Sequence, residues 1–245
     1  LLLKDMAVVD FAKQLKEGTK TSHTAAENTK FVKGFLKGCV DKDSYGQLIA
    51  NFYFIYHALE SEVDRLKEED QVIGQIAFDD LKRHDALAED CKYYWGETWQ
   101  DKIRPTIETQ KYVDRIREVA HKDPYLLVGH HYTRYLGDLS GGQILKGIAE
   151  RALNIQVGDG GLDFYEFPTI SDKKAFKTKY RATLDALPID ESQANAIVTE
   201  ANYAFRLNMF MFDEIQGNAG KSFLQLLNSY FQDFVREMTV SARYR

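Results

Sequence analysis

The apolar positions of this chain recur at helical spacing, and its four prolines leave long stretches uninterrupted. The segment from Tyr45 to Glu68 is the clearest example, because its hydrophobic side chains return every three or four residues and would form one face of a long helix. That face comprises Leu48, Phe52, Ile55, Tyr56, Leu59, Val63 and Leu66. No segment of useful length alternates with the period of a strand. The pattern predicts an all-α fold.

Start and stop signals divide the rest of the chain into further helices. We expect these helices at residues 9–27, 79–95, 106–121, 124–153 and 171–186, from residue 190 onward, and at 219–238. Short polar side chains favour helix N-termini because they accept hydrogen bonds from unpaired backbone N–H groups. Three of the helices are therefore expected to be capped by Asp43 with Ser44, by Ser171 and by Asp190.

The segment Tyr132–Gln143 interrupts its helical pattern with three glycines. Each glycine costs about 1 kcal/mol relative to alanine inside a helix. At about 100° per residue, Gly137, Asp138, Gly141 and Gly142 fall on one side of the helix. That side carries no side chain except one carboxylate. A helix that keeps such a bare side either lies against something large and flat or bends there.

Composition and charge narrow the class of protein. Hydrophobic residues make up 44% and charged residues 28% of the 245 positions, which is typical of a soluble globular protein. The formal net charge of −5 argues against general nucleic-acid binding. No apolar run is long enough for a membrane anchor or a signal peptide, and the two cysteines have neither disulfide-framework nor zinc-site spacing. We therefore expect a soluble protein that binds neither nucleic acid nor a membrane.

Basic side chains nevertheless form two clusters. One cluster lies on and just after the first predicted helix, and the other lies on the helix predicted at 171–186. These clusters are either solvated helix faces or sites for an anion. Their members are Lys13, Lys16, Lys20, Lys30, Lys33 and Lys37 in the first, and Lys173, Lys174, Lys177, Lys179 and Arg181 in the second.

Histidine and aspartate offer the main candidate chemistry. His23 lies four residues before Glu27 on the first helix, whereas His130 falls on the glycine side of its own helix. Helical spacing alone does not choose between these two histidines as a metal ligand. Asp138, one turn after Arg134, either delivers protons to a bound oxidant through ordered water or forms a surface salt bridge. The sequence contains no nucleophile elbow and no phosphate-binding glycine loop.

The whole stretch Tyr132–Gln143 resembles the signature of the heme oxygenases. Gly18–Asn28 is similar to the family's segment around its proximal histidine, and Tyr53–Tyr56 and Ala204–Asn208 resemble two further helices of the family. The likeness extends without large gaps from residue 11 to about residue 215. It implies a single all-α domain in which heme lies between a proximal helix and a kinked distal helix.

The resemblance also implies a domain organisation and a reaction. A heme oxygenase domain is expected at 11–216, with an N-terminal extension at 1–10 and a C-terminal helix at 217–245. Heme b would be both cofactor and substrate. Its α-meso carbon would be oxidised with dioxygen and electrons from an external reductant, giving biliverdin IXα, carbon monoxide and ferrous iron.

Roles for individual residues follow from the same likeness. His23 becomes the axial ligand of the iron, which decides its contest with His130. Asp138, with Arg134 and Tyr56, would order the waters that supply protons. Glycines let a backbone approach the porphyrin closely, and those carried over are Gly137, Gly141 and Gly142. The other residues implied in heme binding are Glu27, Lys16, Lys20, Tyr132, Lys177, Arg181, Phe205 and Asn208. The basic residues among them would fix the heme propionates.

The segment Leu187–Asp190 is similar to that of cyanobacterial and algal family members. This similarity implies ferredoxin as the electron donor, a bilin reductase as the downstream partner, and a location in cyanobacterial cytoplasm or an algal plastid stroma. His131 departs from the family pattern, which usually has a small residue there. Two alternatives stay open, namely a heme carrier or sensor without turnover and a helical bundle that binds a partner without heme.

Overall fold

The computed structural model of the protein describes residues 10–156 and 158–215. Within these residues the chain forms eleven α-helices and no strand, which confirms the predicted all-α fold. The helices are α1 (Phe11–Glu27), α2 (Lys30–Leu36), α3 (Lys42–Leu66), α4 (Gln71–Ile76), α5 (His84–Trp95), α6 (Trp99–Lys102), α7 (Ile107–Lys122), α8 (Leu127–Gly137), α9 (Gln143–Leu153), α10 (Lys173–Asp185) and α11 (191–215). The extension predicted at 1–10, apart from Asp10, and the C-terminal helix predicted at 217–245 lie outside the described residues.

The long amphipathic helix begins slightly earlier than its sequence pattern predicts. Asp41 caps α3, and its carboxylate accepts a hydrogen bond from the Ser44 backbone N–H at 2.8 Å. The predicted cap at Asp43 and Ser44 is wrong because the extended backbone that a cap requires occurs at Asp41, with φ −94° and ψ 161°. Asp43 lies in the first helical turn, where its charge complements the helix dipole.

Two later helices also start at aspartates. Asp172 caps α10 by accepting hydrogen bonds from the backbone N–H groups of Lys174 and Ala175, so the predicted cap at Ser171 is wrong by one residue. Asp190 caps α11 as predicted. Its carboxylate accepts from the Gln193 backbone N–H at 2.8 Å, and the Gln193 side chain accepts from the Asp190 N–H at 3.0 Å.

The prediction of a single helix at 79–95 is wrong for the first turn. Asp79–Leu81 forms a separate 3-10 turn, and α5 begins only at His84. Between them the Arg83 backbone N–H donates to the carboxylate of Glu60 on α3, at 2.6 Å, rather than to a helical carbonyl. A buried contact made far away in sequence therefore ends the local helical pattern.

The helix predicted at 124–153 divides at its glycines. A 3-10 turn at Pro124–Leu126 leads into α8, and Asp138–Gly142 forms a π-helical turn before α9 continues to Leu153. A π turn widens the helix by one residue and is a recognised cause of a kink. The regular α-helix is thus interrupted at the glycine segment, where the sequence allows a bend.

The long helix α3 lies at the centre of the fold. It packs against α5, α7 and α8, while α1 contacts α2 and α10, and α2 contacts α9. Tyr45, Ile49, Ile55, Tyr56 and Leu59 along α3 are fully buried, so this helix supplies much of the core. Every helix of the described residues is too short or too polar to cross a membrane.

α11 supports both α1 and α8 through backbone-close contacts. A Cβ added at Gly18 of α1 would lie 2.6 Å from a methyl carbon of Val198. A Cβ added at Gly129 of α8 would lie 2.9 Å from the Ala201 nitrogen and 3.0 Å from the Ile197 carbonyl oxygen. A Cβ at Gly129 would collide with the backbone of α11, and one at Gly18 would require the Val198 side chain to move, so α11 packs closely against both helices.

A buried ion network joins α7, α8 and α11. The Glu200 carboxylate accepts hydrogen bonds from Arg115 at 2.6 and 2.9 Å and lies 2.9 Å from Nε2 of the fully buried His130. Burial alone would raise the pKa of Glu200, but the hydrogen bonds from Arg115 and His130 outweigh burial and lower this pKa to about 2. The charged carboxylate therefore contributes to stability.

Replacing Glu200 by glutamine is expected to lower the free energy of unfolding at neutral pH by about 1–3 kcal/mol, because Arg115 and His130 lose a charged acceptor. The folded pKa lies below the ordinary value, so the contribution of Glu200 is complete above that value and is lost as the pH falls toward 2. Urea unfolding of both proteins between pH 7 and pH 3 measures this difference. An equal loss of stability at every pH would contradict it.

The unusual His131 is also buried. Its Nδ1 lies 2.7 Å from the Tyr180 hydroxyl, and its ring stacks on that of Tyr180 and lies 4.4 Å from that of Tyr135. Burial lowers the pKa of His131 to about 3, so the ring is neutral. His131 therefore acts as a packing residue between α8 and α10.

Candidate functional site

The main cavity lies among α1, α2, α3 and the kinked pair α8 and α9. Including its open mouth, it measures about 810 Å³. Its lining is mostly apolar and aromatic, with a few polar groups. The lining residues are His23, Glu27, Phe31, Val32, Phe35, Leu48, Phe52, Thr133, Arg134, Gly137, Asp138, Gly141, Gly142, Leu145, Phe164, Tyr165 and Phe212.

The glycine segment forms one wall of this cavity. A Cβ added at Gly137 or Gly141 would meet no atom within 4 Å, so both glycines face open space. Gly142 instead faces the ring of Tyr165, which lies 3.4 Å from where its Cβ would be. The three glycines and Asp138 line the same cavity, as their predicted common side requires, although only Gly137 and Gly141 face open space. The wall can therefore contact a flat molecule over its backbone.

Among the histidines of the described residues, His23 is the one that lines this cavity. Its side chain is 56% exposed, its Nδ1 lies 3.7 Å from a carboxylate oxygen of Glu27, and its ring meets that of Phe205 edge-on at 5.7 Å. His130 lies outside the cavity in the buried network with Glu200. The structure thus favours His23 over His130 as a metal ligand in the cavity, a choice that helical spacing left open.

A buried polar network stands behind the glycine wall. Tyr56 donates a short hydrogen bond to Asp138, and the Tyr56 hydroxyl accepts one from Arg134 Nε at 3.0 Å. Arg134 also donates to Asn208 at 2.5 Å and lies over the ring of Phe52, 4.3 Å from its centroid. Asp138 is thus held in one orientation at the cavity surface.

The electrostatics of this network set the protonation of its members. Burial raises the pKa of Asp138, although the Arg134 charge and the Tyr56 hydrogen bond act against that rise. Burial opposes the charge of Arg134, but Tyr56 and Asp138 outweigh it and raise the pKa of Arg134. The alternative interpretation of Asp138 as a surface salt bridge is wrong, because the Asp138 and Arg134 side chains are each only 8% exposed.

The predicted propionate-binding residues lie on α1, α8 and α10 but not in the cavity wall. Lys16, Lys20 and Arg181 are exposed, and α1 packs against α10. Lys177 donates to the Ser140 hydroxyl of the π turn at 3.2 Å. The structure therefore brings both basic helices to the side of the cavity without joining these cations to one another. Tyr132 lies between them, close to Thr19 and Arg181.

Sequence reasoning missed the aromatic part of the lining. Phe52 and Leu48 belong to the periodic stripe of α3, one and two turns before Tyr56, so helical spacing could have indicated them. Phe164 and Tyr165 lie in a 3-10 turn and reach the cavity from a loop. Local sequence carries no signal for such a placement.

Comparison with known proteins identifies the family of this chain. The family model described as heme oxygenase matches residues 9–214 of this chain. The chain belongs to the heme oxygenase family. Its relatives include heme oxygenase 1 of Synechocystis sp., which is 51% identical over 87% of this chain and 88% of the relative, and heme oxygenase of Rhodella violacea, 47% identical over 94% and 95%.

A solved structure supports the same assignment. Heme oxygenase-1 of the cyanobacterium Synechocystis sp., crystallised in complex with heme, aligns with a TM-score of 0.85 and 50% identity, covering 90% of this chain and 99% of that one. The chain is accordingly a heme oxygenase enzyme with the fold of its relatives.

The cavity of this heme oxygenase fits a heme. Two glycines leave open space that a Cβ would occupy, and the remaining lining is rich in phenylalanine, as a porphyrin face requires. His23 offers an imidazole, which is a common axial ligand of heme iron. The residues present therefore suit the group that the family name implies.

Proposed function

We propose that this heme oxygenase opens heme b at its α-meso carbon and releases biliverdin IXα, carbon monoxide and ferrous iron. One observation carries the proposal: an imidazole, a bare glycine wall and a buried carboxylate line the same cavity. When bound, heme supplies both the iron that binds dioxygen and the carbon that is oxidised. All other contributions come from the side chains and backbone around it.

His23 would hold the iron from the α1 side. Glu27, four residues later, and Phe205 on α11 flank the imidazole. A neutral imidazole donates less electron density than a thiolate, and so suits oxygenation of the macrocycle better than O–O cleavage.

Gly137 and Gly141 would lie directly over the other porphyrin face. Without a Cβ, their backbone would leave room beside the heme for a small ligand such as dioxygen. Gly142, packed on Tyr165, would close this space at the rear. The shape of the glycine wall would thus restrict how dioxygen is oriented in the cavity.

Asp138 would hold the waters that deliver protons to that space. Tyr56 and Arg134 fix its carboxylate, and Asn208 fixes Arg134 in turn. The raised pKa of Asp138 brings the carboxyl closer to the range in which a group can both accept and return a proton. A heme carrier or sensor without turnover would not need a buried carboxyl group at this position. The presence of Asp138 therefore favours an enzyme.

Selection of the α-meso edge would come from the heme propionates. Lys16 and Lys20 on α1, with Lys177 and Arg181 on α10, lie on two helices that pack together beside the cavity. Charge-assisted hydrogen bonds from these groups, with Tyr132 nearby, would fix the rotation of the macrocycle. This assigns part of both basic clusters to substrate orientation.

The external reductant is proposed to be a ferredoxin, and the product to pass to a bilin reductase in a cyanobacterial cell or an algal plastid. Relatives in Synechocystis sp. and Rhodella violacea support this setting. The exposed lysines of α1 and α10 form a basic surface beside the cavity, suited to an acidic electron donor.

Turnover driven by ferredoxin is expected to slow as salt rises, because the Debye length shortens from about 10 Å at 0.1 M to about 3 Å at 1 M. The KM for ferredoxin should rise, and Lys13→Glu on α1 should raise it further. Turnover with a small neutral reductant is the control for salt, and Lys111→Glu on the distant helix α7 is the control for charge. A salt-independent KM would contradict ferredoxin docking on this surface.

The activity itself is tested by adding heme, a reductant and oxygen to the protein. We expect the Soret band to disappear while the absorption of biliverdin grows, with release of carbon monoxide. Chromatography of the bilin isomers identifies the meso carbon that is cleaved. A Soret band that persists under these conditions would refute the enzyme and favour a heme carrier.

A further inference from the structure

Four tyrosines lead from the cavity to the protein surface. Tyr165 lines the cavity, and Tyr45 is buried beside it. The ring centroid of Tyr45 lies 5.4 Å from that of Tyr94, and the Tyr94 centroid lies 4.9 Å from that of Tyr93. Tyr94 and Tyr93 are half-buried. We refer to these four residues, in this order, as the tyrosine row.

The first step of the tyrosine row leads from Tyr165 to Tyr45, and both side chains are buried. The Tyr45 hydroxyl is inaccessible to solvent and has no well-formed hydrogen bond within the described residues. Burial raises the pKa of Tyr45 well above its usual range, and the neighbouring Tyr165 hydroxyl contributes to the rise. The Tyr45 ring also lies 5.9 Å from that of Phe35, which lines the cavity. Tyr45 therefore lies directly behind the cavity wall, next to the lining residue Phe35.

A buried carboxyl lies alongside the tyrosine row. Asp90 of α5 accepts hydrogen bonds from the backbone N–H groups of Asp163 and Phe164, both at 2.8 Å. Burial raises the pKa of Asp90 to about 7, although those two hydrogen bonds oppose the rise. Its charge contributes to the raised pKa of Tyr45 and Tyr94. Heme binding and proton delivery at Asp138 make no use of this group.

Glycines hold the outer tyrosines close to the backbone. Gly161 has φ +84°, and a Cβ there would lie 2.6 Å from a ring carbon of Tyr93 and 3.0 Å from the Tyr94 hydroxyl oxygen. That hydroxyl donates to the Gly161 carbonyl oxygen at 2.9 Å. A Cβ at Gly46 would lie 3.2 Å from Tyr94 Cβ. The aromatic contacts are thus fixed from the loop and from α3.

We propose that the tyrosine row carries oxidising equivalents from the heme cavity to Tyr93 at the surface. Such equivalents arise when hydrogen peroxide reacts with bound heme without oxidising its meso carbon. The proposal rests on heme binding in the cavity, as put forward above. Aromatic rings in contact provide short steps for electron transfer, whereas a single step across the same distance would be far slower.

Each step moves one electron and one proton. An electron passes from the Tyr165 phenol to the oxidant in the cavity, and the phenolic proton passes to water in the cavity that Tyr165 lines. Tyr45, then Tyr94, then Tyr93 each give one electron and one proton to the phenoxyl radical before it in the row, which restores that phenol. The net result is a Tyr93 phenoxyl radical with its proton released to water. An external donor of the ascorbate or thiol class returns one hydrogen atom to Tyr93.

The test treats the heme complex with hydrogen peroxide in the presence of a nitroso spin trap and locates the adduct by peptide mass spectrometry. We expect the wild-type protein to carry the adduct on Tyr93. Tyr94→Phe should reduce that labelling severalfold and speed the bleaching of heme. Tyr203→Phe, which removes an exposed tyrosine outside the row, should leave Tyr93 labelling unchanged.

Separate readouts distinguish this proposal from the proposed function. Both variants should form biliverdin normally with reductant and oxygen, since neither tyrosine lines the cavity. Equal labelling of Tyr93 in Tyr94→Phe, or labelling of Trp95 or Tyr203 instead, would overturn the tyrosine row even with normal biliverdin formation. Failure of the wild-type protein to bind heme would overturn both proposals.

Discussion

Asp138→Ala is expected to bind heme as tightly as the wild-type protein but to lose nearly all biliverdin formation. The carboxyl is buried at the cavity surface and held by Tyr56 near Arg134, so its loss removes the anchor for proton-delivering water. General acid–base groups contribute typically about 10²- to 10⁴-fold to a rate, and we expect a decrease in that range. Heme titration followed by single-turnover kinetics measures binding and chemistry separately.

Two further variants sharpen this expectation. Asp138→Asn preserves the size of the side chain but cannot exchange a proton in the same way, so it should resemble alanine in rate. Asp163→Ala removes an exposed carboxyl outside the cavity and should leave the rate unchanged. Biliverdin formation by Asp138→Ala at the wild-type rate would remove Asp138 from the mechanism.

His23→Ala should change the spectrum of the ferric heme complex and abolish most of the activity. The described cavity lining contains no other histidine, so the iron would lose its imidazole ligand. Added imidazole, which fits the space left by the side chain, should restore the wild-type spectrum and part of the turnover. Absorption and resonance Raman spectra of the iron–ligand bond provide the measurement.

The control for this variant is His57→Ala, which removes an exposed histidine on α3 whose ring stacks on Tyr53. Its heme spectrum should match that of the wild-type protein. An unchanged spectrum in His23→Ala would refute axial ligation by this residue. His130 would not then take its place, because its ring is fully buried against Glu200.

The sequence predicted the fold class and the kink because both arise from local chemistry. Hydrophobic spacing of 3.6 residues requires helices, and three glycines within six positions weaken a helix at a definite place. Helix boundaries were less predictable. Asp41 and Asp43 are the same type of residue two positions apart, and only the backbone dihedral angles determine which of them can cap α3.

The site was predictable where one helix carries it and unpredictable where several meet. Asp138 and the glycines share a face of one segment, so spacing alone indicated them. His130 has nearly the same helical angle as Gly137 but lies two turns away, about 10 Å along the axis. Around His130, α8 packs on α11, and the His130 ring contacts Glu200, which lies 70 positions later in the sequence. A helical wheel contains no information about neighbouring helices.

The close contacts of Gly18 and Gly129 with α11 have a consequence for ligand selection. The two opposing surfaces of the cavity are built on α1 and α8, and both helices rest on the same third helix at atomic contact. The packing of α11 against these two glycines therefore sets the spacing of α1 and α8, and with it the thickness of the ligand that the cavity admits. In a relative that binds a thicker or thinner planar ligand, we therefore expect substitutions at these contacts between helices, although the residues there do not touch the ligand.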